Sequence, residues 1–141
     1  MHTFENESFL FLLNTPEMKV LVVDDETDVQ ILFEQRFRRE IRAGELIFAF
    51  AHSGEKALAY LNEHPSEYVL ILSDINMPGM SGLELLRLIK TTYPAPPPVV
   101  MMITAYGDSE SYDQAMLLGA DAFLTKPIDF NNLKEKLKSA L

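Results

Sequence analysis

The feature that most constrains the fold of this chain is the alternation of short apolar runs with segments of helical periodicity. The runs are rich in β-branched residues and lack regular polar positions, which is typical of strands buried on both faces of a sheet. Strands that alternate with helices indicate βαβ units and a mostly parallel sheet with right-handed crossovers. The predicted strands are 19–23, 46–51, 68–72, 99–103 and 122–124. The first predicted helix covers about residues 27–42, with Leu32 and Ile41 among its apolar positions. The other helices are predicted to begin at Ser53, a candidate N-cap, at Ser81, and near residues 109 and 131.

The length of 141 residues predicts one domain with an N-terminal extension. We expect the extension to cover residues 1–17 and the domain to cover residues 18–141. The extension contains an apolar cluster, Phe9–Leu13, which could dock on the domain or on a partner. A loosely ordered N-terminus accounts equally well for these residues.

Composition excludes several classes of function. The absence of cysteine excludes a disulfide scaffold, a thiolate zinc site and cysteine catalysis. The net charge of -9 argues against direct nucleic-acid binding, because an acidic surface repels a phosphate backbone. No apolar run approaches the ~20 residues that a membrane helix requires. We therefore expect no membrane association and take the cytoplasm as the default location.

Charged and hydroxyl side chains follow four of the predicted strands. Asp24 and Asp25 follow the first strand, Asp74 the third, Thr104 the fourth and Lys126 the fifth. In open parallel sheets, ligands bind beyond the carboxyl ends of the strands. Clustered carboxylates repel one another unless a divalent cation or an ammonium group lies between them. The pattern predicts a site that handles a phosphoryl group, with a carboxylate as nucleophile.

These residues stand in motifs that resemble the receiver domain of two-component response regulators, of the kind found in chemotaxis regulators. The resemblance extends over about residues 18–140. It implies a flavodoxin-like, doubly wound five-stranded parallel sheet in the order 2-1-3-4-5, with helices on both faces. The motifs are Val22–Glu26, Asp74–Gly82, Ile103–Ala105 and Lys126–Pro127.

The resemblance also implies a role for each residue of the site. Asp74 is the expected phosphoacceptor, in a reaction that requires Mg²⁺ and in which Mn²⁺ can substitute. The expected metal ligands are Asp24 (partly through water), Asp25, Asp74 and the backbone carbonyl of Asn76. The groups expected to stabilise the phosphoryl oxygens are Lys126, the Thr104 hydroxyl and the backbone N–H groups of Met77 and Ala105. The Lys126–Pro127 peptide bond is expected to be cis.

Three residues that the resemblance singles out can each be interpreted in two ways. Thr104 and Phe123 correspond to the switch pair of the family, but Phe123 lacks the hydroxyl that a tyrosine would bring, and a plain core phenylalanine fits the position as well. Asn76 and Tyr106 occupy positions that tune hydrolysis of the acyl phosphate, unless both are ordinary exposed loop residues. The three histidines, His2, His52 and His64, are interpreted as surface or structural residues.

The function that follows is that of a phosphoacceptor receiver domain in a two-component system or phosphorelay. It would take a phosphoryl group from a sensor histidine kinase or a histidine phosphotransfer protein and then change its binding to an unidentified downstream protein. We expect no enzyme activity beyond phosphotransfer to Asp74 and hydrolysis of the product. No residues for an output domain follow the last helix, so we expect a stand-alone receiver, unless the chain is a fragment. Homodimer formation stays open.

Two other classes of function are less consistent with the residues. Phosphatases of the haloacid dehalogenase type carry their nucleophile in an Asp-x-Asp motif after the first strand, whereas residues 24–28 read Asp-Asp-Glu-Thr-Asp. An interaction module that has lost phosphorylation would be expected to lack one of the four residues of the site. Asp25, Asp74, Thr104 and Lys126 are all present.

Overall fold

A parallel sheet of five strands forms the centre of the protein. The computed structural model describes residues 18–65, 67, 70–93, 98–105 and 107–139, so the extension 1–17 and Tyr106 lie outside the described residues. The strand order is β2-β1-β3-β4-β5, which confirms the expected doubly wound topology. The strands are β1 (Met18–Val23), β2 (Leu46–Ala51), β3 (Leu70–Asp74), β4 (Val99–Ala105) and β5 (Ala122–Lys126).

Helices cover both faces of the sheet, as predicted. Alternate residues of β1 enter two separate cores: Leu21 and Val23 pack on one face, and Val20 and Val22 on the other. The first core receives α3, α4 and α5, and the second receives α1 and α6. The helices are α1 (Asp28–Arg36), α2 (Arg38–Arg42), α3 (Gly54–Glu63), α4 (Gly82–Thr92), α5 (Ser109–Leu117) and α6 (Phe130–Ser139).

The single helix predicted over about residues 27–42 is two helices in the structure. The break falls at Phe37, whose backbone leaves the helical region with φ -107° and ψ 18°. The Phe37 ring is fully buried and lies 5.8 Å from the Phe33 ring. The backbone turns at Phe37 while its ring stays in the core, so the turn redirects the chain toward β2. Leu32 and Ile41, which share the predicted apolar periodicity, are exposed.

Serine caps fix the starts of the two helices that flank β3. The Ser53 hydroxyl accepts the backbone N–H of Lys56 at 3.0 Å, and the Ser81 hydroxyl accepts that of Glu84 at 3.2 Å. Such caps satisfy backbone donors that the first helical turn leaves unpaired. Both caps are at the predicted positions. Across the described part of the chain, every helix is too short or too polar to cross a membrane.

Candidate functional site

Three carboxylates meet at the carboxyl edge of the sheet. Asp24 follows β1 directly and Asp74 is the last residue of β3, and these two strands are neighbours. Each of Asp24, Asp25 and Asp74 offers an oxygen within 4.8 Å of the others. Asp24 and Asp74 are each only 3% exposed, whereas Asp25 is exposed to solvent. The predicted acidic cluster is therefore present, with one member facing outward.

Lys126 reaches the cluster from the far side of β4. It is the last residue of β5 and pairs with Ala105, at the end of the strand between β5 and β3. Its Nζ donates to Asp74 Oδ2 at 2.9 Å and lies 3.9 Å from Asp24 Oδ2. The ammonium group thus contacts the two buried carboxylates.

The electrostatics of the site reflect burial and mutual repulsion. Burial raises the pKa of Asp24, the charge of Asp74 raises it further, and the backbone N–H of Glu26 and the Lys126 charge only partly oppose this. For Lys126, burial lowers the pKa, but the hydrogen bond and charge of Asp74, with the charge of Asp24, raise it above its usual value overall. The site therefore holds excess negative charge that one ammonium group does not neutralise.

The loop after β1 is held by contacts that position Asp24. The Glu26 N–H donates to Asp24 Oδ1 at 2.9 Å, and the Asp24 N–H donates to the Ala51 carbonyl at 3.1 Å. His52 Nδ1 lies 3.0 Å from the Asp24 carbonyl oxygen, close enough to donate to it. His52 was interpreted only as a surface or structural residue. Its position directly after β2, beside β1 in the sheet, is the signal that would have placed it next to the site.

Thr104 carries a hydroxyl that has no partner within the part of the chain that the structure describes. Its side chain is buried near the carboxyl end of β4, and Oγ1 makes no hydrogen bond to any residue that the structure describes. Buried hydroxyl groups are rarely left unpaired, because the loss of hydration is then uncompensated. An incoming oxygen acceptor at this edge would satisfy the hydroxyl.

The loop after Asp74 is shaped by backbone contacts. The Ile75 N–H donates to the Ile103 carbonyl at 3.0 Å, and the Gly82 N–H donates to the Ile75 carbonyl at 2.7 Å. The Asn76 N–H lies 3.4 Å from Asp74 Oδ1. Asn76 is exposed and Met77 is buried, so successive residues alternate between solvent and core.

The remaining predicted residues surround this centre. Ala105 ends β4 and is exposed, and the Lys126–Pro127 peptide bond is cis, as the resemblance implied. Phe123 is half-buried, and its ring centroid lies 4.4 Å from that of Tyr112 on α5. Phe123 pairs with Met102, two residues before Thr104 on β4. Thr104 and Phe123, the predicted switch pair, thus lie on adjacent strands.

The donor set fits a hard divalent cation. Mg²⁺ prefers oxygen ligands and binds through a few carboxylates together with water and phosphate oxygens. The site contains two buried carboxylates and one exposed carboxylate, and the pKa of Asp24 is raised. A bound cation would relieve the repulsion among these carboxylates. The cluster contains neither the thiolate nor the imidazole ligands that transition metals favour.

Known proteins share both the sequence pattern and the fold. The response regulator receiver domain family matches residues 20–138. The chain is similar to the response regulator protein PilR of Pseudomonas aeruginosa, with 38% identity over 123 residues, which are 87% of this chain and 26% of PilR. It is also similar to the DNA-binding transcriptional regulator NtrC of Proteus hauseri, with 36% identity over 86% of this chain and 24% of NtrC. The chain thus spans about a quarter of the length of these two relatives.

Solved structures agree with the family match. A response regulator receiver domain protein from Clostridium thermocellum superposes with a TM-score of 0.77 at 27% identity, over 87% of this chain and 93% of that one. The response regulator TrrA of Thermotoga maritima, solved in complex with Mg²⁺-BeF, gives a TM-score of 0.73 at 32% identity, over 88% of this chain and 99% of that one. With the family matched over nearly the whole described chain and the site residues gathered at one edge, this protein belongs to the response regulator receiver domains of two-component systems.

Proposed function

We propose that Asp74 accepts a phosphoryl group from a phosphohistidine on a histidine kinase or a histidine phosphotransfer protein. An Asp74 oxygen attacks phosphorus, an O–P bond forms, and the N–P bond breaks with the electron pair returning to the imidazole ring. The observation that carries this proposal is the position of the buried Asp74 carboxylate. It accepts a hydrogen bond from Lys126 at 2.9 Å and lies beside the other two aspartates of the acidic cluster. A nucleophilic carboxylate is effective where nearby cations stabilise the transferring oxygens.

Mg²⁺ would be held by Asp24, Asp25 and Asp74 together with the backbone carbonyl of Asn76, and Mn²⁺ could replace it. When bound, the ion supplies positive charge to the phosphoryl oxygens and offsets repulsion among the carboxylates. The TrrA complex with Mg²⁺-BeF supports this proposal by similarity, because TrrA shares the receiver fold.

The chain's own donors complete the proposed cage for the phosphoryl oxygens. Lys126 exchanges its bond to Asp74 for one to a phosphoryl oxygen, and the Thr104 hydroxyl, which has no partner among the described residues, gains an acceptor. The backbone N–H groups of Met77 and Ala105 would supply two further donors. Preorganised donors of this kind stabilise developing charge without reorganising in the reaction.

The same residues would report the phosphorylated state. Movement of Thr104 toward the phosphoryl group leaves space that Phe123 fills by turning inward. Phe123 already contacts Tyr112, which is exposed on α5, so the movement would reach the protein surface. Asn76 and Tyr106 would tune the access of water to the acyl phosphate, and Tyr106 lies outside the described residues.

The proposed activity is confined to the domain's own phosphorylation and dephosphorylation. Response regulators receive phosphate from histidine kinases, but the kinase and the downstream protein of this chain are not identified by its structure. NtrC is named as a DNA-binding regulator, and this chain matches 24% of its length. The stand-alone organisation and the cytoplasmic location stay predictions, and homodimer formation stays open. The mass of the protein isolated from its own cells would test the first of these.

Phosphorylation by a small donor tests the proposal directly. Incubation with acetyl phosphate and Mg²⁺ should add the mass of one phosphoryl group, in a linkage stable to acid and labile to base. Asp74→Asn should lose the label, whereas Asp113→Asn on the exposed side of α5 should retain it. Equal labelling of Asp74→Asn and the parent would refute the assignment of Asp74. Steady turnover of unrelated phosphate esters would favour a phosphatase instead.

A further inference from the structure

A groove lies at the amino ends of β1 and β2, on the edge of the sheet opposite the carboxylates. It encloses about 100 Å³, and its apolar lining consists of Met18, Phe37, Leu46 and Leu137. For comparison, an apolar cavity of roughly 150 Å³ accommodates benzene. The amino-end groove, as we name it, therefore has room for one apolar side chain and belongs to no part of the phosphoacceptor site.

The rim of the amino-end groove has an unsatisfied acceptor. Glu40 Oε2 pairs with Lys134 Nζ at 3.2 Å, but Glu40 Oε1 is buried and makes no hydrogen bond within the described part of the chain. The Lys134 ammonium also lies 5.4 Å from the centroid of the Phe37 ring. A buried carboxylate oxygen without a donor costs free energy, so the rim favours an occupant that brings an N–H group.

The charged lining of the groove is balanced, with Glu40 and Glu45 against Lys134 and Lys138, but the segments that adjoin it carry an excess of bases. Seven of the 12 lysines and arginines lie in residues 36–42 and 134–138, whereas the whole chain has a net charge of -9. Four of the seven are exposed arginines, and none of these four forms an ion pair with another described residue. They are Arg36, Arg38, Arg39 and Arg42.

One segment of this chain has the complementary chemistry. Residues 1–17 contain three glutamates and no lysine or arginine, and they include the apolar run Phe9–Leu13. They join the domain at Met18, which itself lines the groove. The five residues from Met18 back to Leu13 span at most roughly 17 Å when extended. The apolar run can therefore reach the groove without a long loop.

We propose that residues 9–13 of the N-terminal segment dock in the amino-end groove of their own domain. An apolar side chain of the run fills the cavity, a backbone N–H donates to Glu40 Oε1, and the glutamates of the segment face the lysines and arginines of residues 36–42 and 134–138. Docking is intramolecular, so the segment acts at an effective concentration on the order of millimolar. The proposal does not depend on phosphoryl transfer, because the groove and Asp74 lie on opposite edges of the sheet.

Paramagnetic NMR on the full-length protein tests this docking. The chain has no cysteine, so Ser8→Cys gives a single site for a nitroxide label. We expect the label to weaken the amide signals of Leu46 and Leu137 several-fold relative to the reduced label, and to leave Ala115 on the opposite face unchanged. A label at Asp113→Cys should give the reverse pattern. Unchanged signals at Leu46 and Leu137 with the Ser8 label would overturn the proposal.

Two further samples separate this occupant from others. Mixing ¹⁵N-labelled protein without nitroxide with unlabelled protein that carries it should produce no broadening, and broadening there would assign the groove to a second copy. In the Ser8→Cys protein, replacing Phe9 and Leu12 by serine should abolish the effect at Leu137. Lys138→Glu, on the groove, should weaken it more than Lys136→Glu on the same helix. Equal effects of these two charge reversals would contradict the electrostatic part of the proposal.

Discussion

The Thr104 hydroxyl, which no described residue pairs, is expected to have opposite effects on folding stability and on phosphorylation. In the unphosphorylated protein this buried group has no partner among the described residues, so it contributes an unfavourable desolvation term. We predict that Thr104→Val raises the free energy of unfolding by about 1 kcal/mol, because it removes the hydroxyl while keeping the branched shape. Urea unfolding without phosphodonor measures this change.

The same substitution should weaken the phosphorylated state. Thr104→Val removes a donor to the phosphoryl group. The acyl phosphate should therefore form more slowly than in the parent. Thr104→Ser keeps the hydroxyl and serves as the matched control. A Thr104→Val protein that is less stable than the parent would show that the hydroxyl has a partner in solution.

Without metal, the contribution of Asp24 to the free energy of unfolding should decrease as pH rises. Most carboxylates in folded proteins contribute in the opposite direction. Burial raises its pKa in the folded state, so over the interval above the ordinary aspartate value the folded protein binds more protons than the unfolded chain. This contribution to stability is complete below the unfolded pKa and is lost as pH rises through the folded pKa. We predict that Asp24→Asn stabilises the metal-free protein at neutral pH.

Unfolding measured in chelator across the acidic range checks this prediction. The advantage of Asp24→Asn over the parent should shrink toward zero below about pH 3.9, where the aspartate is protonated in both states. Asp113→Asn, an exposed position on α5, should show no such trend. An advantage that stays constant with pH would point to packing rather than charge.

Strand order explains how much of the site the residue pattern could predict. Asp24, Asp74 and Lys126 were predicted together because parallel strands bring their carboxyl ends to one edge. The contact of His52 with the Asp24 carbonyl, at 3.0 Å, was not predicted, because no periodic pattern marks a single side chain in a loop. The burial of the Thr104 hydroxyl without a partner among the described residues likewise depends on packing that spacing does not reveal.

At the scale of the element, the start of α4 is fixed against β3 by a residue without a side chain. A Cβ atom at Gly82 would overlap the Asp74 carbonyl oxygen and lie 2.7 Å from Ile75 Cα, both of them backbone atoms. We predict that Gly82→Ala destabilises the protein by about 3 kcal/mol, because the helix must move away from the strand. It should also lower labelling of Asp74 by acetyl phosphate.

Gly54→Ala is the matched control for this prediction. At the start of α3, the nearest atoms to such a Cβ belong to the Met80 side chain, with the sulfur at 2.9 Å and Cβ at 3.0 Å, so a small shift of one side chain rather than of a strand would relieve the contact. Its cost should be about 1 kcal/mol, with labelling of Asp74 preserved. Thermal unfolding and intact mass measure both effects, and similar losses in the two variants would refute the special role of Gly82.

The starts of helices could be predicted from the sequence where nearby side chains determine them. Ser53 and Ser81 cap their helices at the predicted residues, since a cap depends on side chains a few positions away. The break at Phe37 was missed because helical periodicity continues through it. The burial of the Phe37 ring beside Phe48 and Phe130, which lie far away in sequence, accompanies that turn.

At the scale of the whole molecule, metal binding should couple to folding. A ligand that binds only the folded state raises the free energy of unfolding, by about 2.7 kcal/mol at 100 times its dissociation constant. We predict that Mg²⁺ stabilises the parent and that Asp25→Asn loses most of this increment. Because Asp25 is exposed, the free energy of unfolding of the Asp25→Asn protein without metal should differ from that of the parent by less than about 0.5 kcal/mol.

Chemical denaturation with and without Mg²⁺ measures this coupling. Asp113→Asn should keep the full increment, since it lies outside the acidic cluster. An Asp25→Asn protein that Mg²⁺ stabilises as strongly as the parent would place the ion elsewhere.

The excess of lysines and arginines in residues 36–42 and 134–138, beside the amino-end groove, and the acidic cluster at the carboxyl edge give the molecule an electric polarity along its strands. A charged partner that approaches by diffusion exerts a torque on such a molecule and turns it before the surfaces touch. A partner with a basic surface would meet the edge that carries Asp74 first. The rate of productive encounter should consequently fall with ionic strength, while the dissociation rate changes less.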